Sequence, residues 1–214
     1  MSDTFPVAVA LVARDAQAST GHAIRTSAMP LVPVVHPAID IDLRYASADN
    51  ISGRPLYDHG QALLHRDAMA ALVRAADLAA AQGLRLRVYD AWRPAAAQWR
   101  LWQVLPDPAY VADPRVGSMH TRGIAVDLTL ADAGGRPLDM GTGFDEMSAA
   151  SAHGCTTITP QAQRHRVWLA GLMALSGWVH LGSEWWHYNL PDAARYPLID
   201  DGSQAPRFVD APAA

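Results

Sequence analysis

The spacing of apolar positions along the chain changes several times, and each change marks a new element. In "AIDIDLRYAS" the alternation of Ile39, Ile41 and Leu43 predicts a strand, and "DNISGRP" after it supplies turn chemistry. "HRDAMAALVRAADLAAAQGL" switches to helical spacing through Met69, Leu72, Val73 and Leu78, with Gly83 as terminator. Period two returns in "LRLRVYDAWRP", where Leu84, Leu86 and Val88 alternate with Arg85, Arg87 and Tyr89. Pro94 then opens a second helix, "PAAAQWRLWQVL", at the first helical position, where its missing N–H costs nothing. Trp99 and Trp102, three apart, are expected to share the buried face of that helix. Further strands are predicted at "IAVDLTL" and "WVHLGSEWWHYNL". Between them lies a third helix, "PQAQRHRVWLAGLMALS", capped by Thr159, with Pro160 at its start and Gly177 beyond its end. Helices and strands do not alternate as regular βαβ units, so the fold class is α+β, a central and mainly antiparallel sheet flanked by helices. Residues 1–37, with Pro6, Pro30, Pro33 and Pro37 and no clear period, read as an irregular arm leaning on a single domain of residues 38–214.

Composition narrows the function. A chain of 214 residues, 50% hydrophobic and 18% charged, can bury a substantial core. Its net charge of −4, without a basic run, lacks the electrostatic footprint of a nucleic-acid binder and favours a small neutral or zwitterionic ligand. The single Cys155 excludes an internal disulfide and a zinc site built on paired thiolates, so any metal must rest on histidine and carboxylate. No apolar run reaches the length of about 18 residues that a membrane span needs. The opening "FPVAVALVA" followed by "AQA" has a faint likeness to a signal peptide, but no Lys or Arg precedes it. The expectation is a cytoplasmic protein, with the periplasm as the alternative; the oligomeric state is left open.

The candidate chemistry sits in two segments. In "GSMHTRGIAVDLTL", Ile124, Val126, Leu128 and Leu130 form one apolar strand face, while Gly123, Ala125, Asp127 and Thr129 form a small, polar one. A carboxylate there would be costly to bury without a cation or donors opposite it. His120 precedes the strand, and a bend at Gly123 would let it meet Asp127. In "SEWWHY", His187 completes a His, Asp, His set, which leaves the fourth tetrahedral position of zinc open, as in catalytic sites. Glu184, three residues earlier, is then the general base for a water whose pKa zinc lowers to about 7. Regular strand geometry would point Glu184 and His187 to opposite faces, so the chain should bend between them, with Trp185 and Trp186 locking the bend by packing. Arg93, extended before Pro94, is the candidate for stabilising the oxyanion, although it could simply pair with Asp90. His180 is the nearest competitor for the metal. The remaining histidines, His22, His36, His59, His65, His153 and His165, lack a matching carboxylate pattern and read as structural or solvated.

"SMHTRGIAVDLTL" resembles the SxHxxGxAxD signature, and "EWWH" the ExxH signature, of the VanX-type D-Ala-D-Ala dipeptidases, zinc enzymes of peptidase family M15. The resemblance extends through "LRYASADNISGRP", "YDAWRP" and "MGTGFDEMS", over roughly residues 38 to 200. It implies one zinc per subunit on His120, Asp127 and His187, with Glu184 as base, Arg93 at the tetrahedral intermediate, and D-Ala-D-Ala as substrate. It also implies that Asp145 binds the substrate's free ammonium, with Tyr45 near the same end, and it matches Ser118 to the serine of the zinc motif. Read without the resemblance, Asp145 is equally a turn acid after Gly143. The chain departs from the family pattern in its long proline-containing arm and in a compact stretch between Arg93 and His120 that would shape the pocket. Two rival functions follow: a related carboxypeptidase acting on longer peptidoglycan stems, and a non-catalytic zinc-containing wall-binding module.

Overall fold

The computed structural model describes residues 30–57, 60–200 and 202. The signal-like opening, His22, His59 and most of the N-terminal arm lie outside the described residues. The described end of that arm is regular: β1 (Leu31–Pro33) pairs antiparallel with β3 (Leu63–His65).

The main sheet has five strands: β2 (Ile39–Ile41), β4 (Arg85–Asp90), β5 (Ala125–Ala131), β7 (His187–Asn189) and β6 (Val179–His180), in the order β2-β4-β5-β7-β6. Only β2 and β4 run parallel; the other three pairings are antiparallel. The α+β, mainly antiparallel class expected from the periodicity is the one observed. β5 lies at the centre and is buried along its whole length. Its even-numbered residues Val126, Leu128 and Leu130 join the main core.

Among the described residues there are three α-helices, of which the first and third pack on the sheet. In α1 (Arg66–Ala80) the buried stripe is Ala68, Ala71, Leu72, Ala75, Ala76 and Ala79, while Leu78 faces outward. The helix falls where its period predicts but turns its alanines inward, because small side chains let a helix lie close against its neighbours. α2 (Ala95–Val104) begins one residue later than expected, with Pro94 as its N-cap. It buries Ala97, Gln98 and Leu101, and Trp99 and Trp102 are only half-buried. Trp102 packs at the edge of the small core cluster that Ala97 and Leu101 form with Tyr45, Leu56, Tyr57 and Val111. α3 (Pro160–Leu175) starts as predicted, the Thr159 hydroxyl accepting from Ala162 N at 3.1 Å.

The largest departure is at the end of the sheet. The single strand expected through "WVHLGSEWWHYNL" is broken into β6 and β7, with a turn through residues 181–186. Glu184 N–H donates to Leu181 O and Leu181 N–H to His187 O, so the backbone doubles back there. This is the bend that a shared site for Glu184 and His187 requires. Among the described residues no helix is long and apolar enough to cross a membrane.

Candidate active site

Strand register brings the metal-seeking side chains together. Asp127 and His187 are directly paired across β5 and β7, so their side chains leave the sheet on the same face. His120 arrives from the turn before β5. Gly123 makes that turn possible: its φ is +70°, and a Cβ there would stand 2.8 Å from Leu31 Cδ2 and 3.1 Å from the backbone N of His65. With this geometry the ligand atoms of His120, Asp127 and His187 all lie within 4.8 Å of one another. Asp127 Oδ1 is 3.0 Å from His187 Nδ1 and 3.3 Å from His120 Nε2, and the two ring nitrogens are 3.2 Å apart.

The imidazole of His120 is held in one tautomer. Its Nδ1 lies 2.7 Å from Ala91 O, and a carbonyl can only accept, so Nδ1 carries the proton and Nε2 offers its lone pair to the site. Asp90 Oδ2 stands 3.3 Å from the same Nδ1. The periodicity of β4 does not predict this contact, since in unbroken register Tyr89 would face Asp127. A bulge after Val88 shifts the pairing so that Asp90 faces Asp127 and turns toward the site. The i,i+3 pairing of Asp90 with Arg93 in "YDAWRP" was the one sequence signal of its presence.

Arg93 is buried and held by Asp90 and Gln98. Its Nε donates to Asp90 Oδ2 at 2.9 Å, Nη1 donates to Gln98 Oε1 at 2.9 Å, and Nη2 lies 2.7 Å from Asp90 Oδ2 and 3.8 Å from Asp127 Oδ2. Its Cζ sits 4.7 Å over the Tyr45 ring. Arg93 thus does pair with Asp90, and still lines the cavity. At the other end, Tyr45 donates its hydroxyl to Asp145 Oδ1 at 2.8 Å and Ile51 N–H donates to Asp145 Oδ2 at 3.2 Å. Asp145 adopts φ 60°, unusual for a residue with a side chain, and is buried. Burial lifts its carboxyl to a pKa of about 6 against the pull of the Tyr45 hydroxyl. The Ser118 hydroxyl accepts from His120 N at 3.1 Å, tightening the turn that carries the histidine.

One cavity of about 260 Å3 is lined by all eight predicted residues: Tyr45, Arg93, Ser118, His120, Asp127, Asp145, Glu184 and His187. The compact stretch before His120 supplies much of the remaining wall, from Pro108 to Ala112. The volume falls below the roughly 300–1,000 Å3 of pockets for drug-sized ligands, which suits a smaller molecule. His180 is not among the lining residues; it is exposed, with its ring 4.5 Å from that of His153. His65 caps α1 by accepting from Asp67 N, His36 accepts from Ala38 N, and His165 Nδ1 lies 2.7 Å from Asp139 O.

The electrostatics call for a cation. Asp90, Asp127, Asp145 and Glu184 are all buried around the one guanidinium of Arg93. Glu184 Oε1 has no hydrogen-bond partner, and burial raises its carboxyl to a pKa of about 7 although His187 pulls it down. Burial also pushes Asp127 up, but the imidazoles of His120 and His187 outweigh it and hold that carboxyl well below the usual range. Two nitrogens and one carboxylate oxygen converging on one point, with an unsatisfied carboxylate beside them, fit a divalent ion with an open coordination position.

An α+β domain with such a group in a small cavity has the construction of a metal-dependent hydrolase. The family model described as D-ala-D-ala dipeptidase, peptidase family M15, matches residues 25–207. The D-alanyl-D-alanine dipeptidase of Escherichia coli is 50% identical over 168 residues, covering 78% of this chain and 87% of that protein. The Enterococcus faecium D-alanyl-D-alanine dipeptidase is 31% identical over 183 residues, 74% of this chain and 89% of that protein. A solved structure of the vancomycin-resistance D,D-pentapeptidase VanY with Zn(II) covers 76% of this chain and 84% of its own at 15% identity, with a TM-score of 0.41. The chain belongs to the D-Ala-D-Ala dipeptidase family of M15 peptidases and is a hydrolase.

Proposed function

We propose that this protein is a zinc-dependent dipeptidase that hydrolyses D-Ala-D-Ala to two D-alanines, with one zinc per subunit held by His120 Nε2, Asp127 Oδ1 and His187 Nδ1. The observation that carries this reading is the convergence of those three atoms beside a glutamate oxygen that has no other partner. Bound there, zinc would supply Lewis acidity and lower the pKa of water to about 7.

The chain's own groups do the rest. Glu184 takes the proton of the attacking water and delivers it to the leaving amine; its buried, unpartnered Oε1 makes it a stronger base than an exposed carboxylate. Arg93 presents its guanidinium to the developing oxyanion, held in place by Asp90 and Gln98 so that little reorganisation is needed during the reaction. Asp145, oriented by Tyr45, receives the substrate's ammonium, with Ser118 on the cavity wall. A carboxylate at that end favours a dipeptide, because a peptide extended at its amino end has no charge to offer there.

The test is release of free D-alanine by the purified protein, with and without a chelator, from D-Ala-D-Ala, L-Ala-L-Ala, and tri- and pentapeptide stems. D-Ala-D-Ala should be cleaved in a zinc-dependent manner and the stems refused. Full activity after all metal is stripped would refute the mechanism, and preference for stems would favour the carboxypeptidase alternative.

A further inference from the structure

Arg166 stands on the buried stripe of α3, four residues after Ala162 and three before Leu169, where the helix otherwise carries apolar side chains. It is 3% exposed. A leucine there would pack without the cost of burying a charge, so what the guanidinium contributes lies in what it grips. Its hydrogen bonds all go to neutral acceptors. Nε donates to Met140 O at 2.7 Å, Nη1 to Ala150 O at 2.9 Å and Ala152 O at 3.0 Å, and Nη2 to Thr142 Oγ1 at 3.3 Å.

These contacts join two functional segments. Met140 and Ala152 bracket the loop that carries Asp145, so one side chain ties both ends of it. The carbonyl between the two that Nη1 grips, Ser151 O, accepts from the N–H of Trp185, next to Glu184, at 3.0 Å. Thr142 Oγ1 accepts from Trp185 Nε1 at 2.9 Å as well as from Arg166. His153 N–H donates to Gly182 O in the same turn. The loop also packs closely on the start of α3: at Gly141, φ +83°, a Cβ would lie 2.8 Å from Ile158 and 3.2 Å from Ala162.

We propose that Arg166 is a positioning residue that holds the Asp145 loop and the Glu184 turn as one unit, so that the amino-end carboxylate and the base keep a fixed relation. It touches neither substrate nor metal. The inference rests on the dipeptidase reading above, and its test is chosen to stand apart from that reading. Zinc-loaded Arg166→Lys keeps a charge but lacks the fork that reaches four acceptors. Thr142→Val removes the shared oxygen with little change of shape, and carries the same test if the lysine variant does not fold.

The first measurement is hydrogen exchange, which requires no activity. In either variant the N–H groups of Trp185, bonded to Ser151, and Ile51, bonded to Asp145, should exchange about ten-fold faster together, while Leu86 in the sheet is unchanged. Faster exchange at Trp185 alone, or equally throughout the sheet, would overturn the proposal. The second is a double-mutant cycle of Arg166→Lys with Asp145→Asn on D-Ala-D-Ala. Arg166→Lys should lower kcat/KM by about 100-fold through misplacement, and Asp145→Asn should then add little; independent, multiplying effects would refute the coupling. If the wild type releases no D-alanine, the dipeptidase reading fails while the exchange result still decides the role of Arg166.

Discussion

The two ends of the cavity are built by different means. At the metal end, Asp127 and His187 leave paired positions of adjacent strands, and the sheet's own hydrogen bonds set their separation. At the other end, Tyr45 and Asp145 come from a short 3-10 turn and an irregular loop; Arg166, Thr142 and Ser151 bond within that loop, and Tyr45 bonds Asp145. Backbone register is shared by many bonds and tolerates the loss of one, whereas a loop held by a few side chains does not. Two of the three proposed metal ligands, Asp127 and His187, are carried by the sheet and the third, His120, by the turn before β5, whereas the proposed recognition of the substrate's end rests on loops.

The sharpest break of the metal end is Asp127→Ala, after which zinc binding and turnover should fall to the level of the chelated protein, measured by metal content and D-alanine release. Glu184→Gln should retain zinc and lower kcat by about 10²–10⁴. The same variant exposes the electrostatic cost of the site. Burial raises the Glu184 pKa from 4.5 to about 7, so the ionised side chain destabilises the metal-free fold above pH 7 but not below 4.5. At pH 8 metal-free Glu184→Gln should be the more stable by about 3 kcal/mol, at 1.36 kcal/mol per pKa unit, and at pH 4 the advantage should vanish, as urea denaturation will show. Asp90→Asn, which loosens both His120 and Arg93, should cost about 10–100-fold in zinc affinity or activity. The smallest effect belongs to the amino end: Asp145→Asn should raise KM for D-Ala-D-Ala about 10-fold, the loss of a charged hydrogen bond of about 1.5 kcal/mol, and leave cleavage of amino-capped dipeptides unchanged.

Much of this site was legible in the chain. His120, Asp127 and His187 could be grouped because a carboxylate on an otherwise small strand face needs a cation, and Gly123 allowed the turn that joins them. The need for a bend between Glu184 and His187 followed from strand periodicity alone, and the structure meets it by ending one strand and starting another. Asp90 was seen only as a partner for Arg93, because nothing local reveals that β4 bulges after Val88. Arg166 was not singled out in the sequence; the structure puts it on the buried stripe of α3, four residues after Ala162. The helices were placed correctly and their faces less so: in α1 Leu72 and five alanines fill the contact, Met69 packs at its edge and Leu78 faces outward, while Trp99 and Trp102 are half-buried.

By itself the sequence determined the kinds of element, their order, and the chemical types available to a metal and a base, since periodicity, turn residues and caps act over a few positions. The tertiary structure alone decided which helix face turns inward, where the β4 bulge aims Asp90, and how Arg166 joins two loops. Those outcomes depend on distances between segments far apart in the chain, and such distances are set only when the whole core packs.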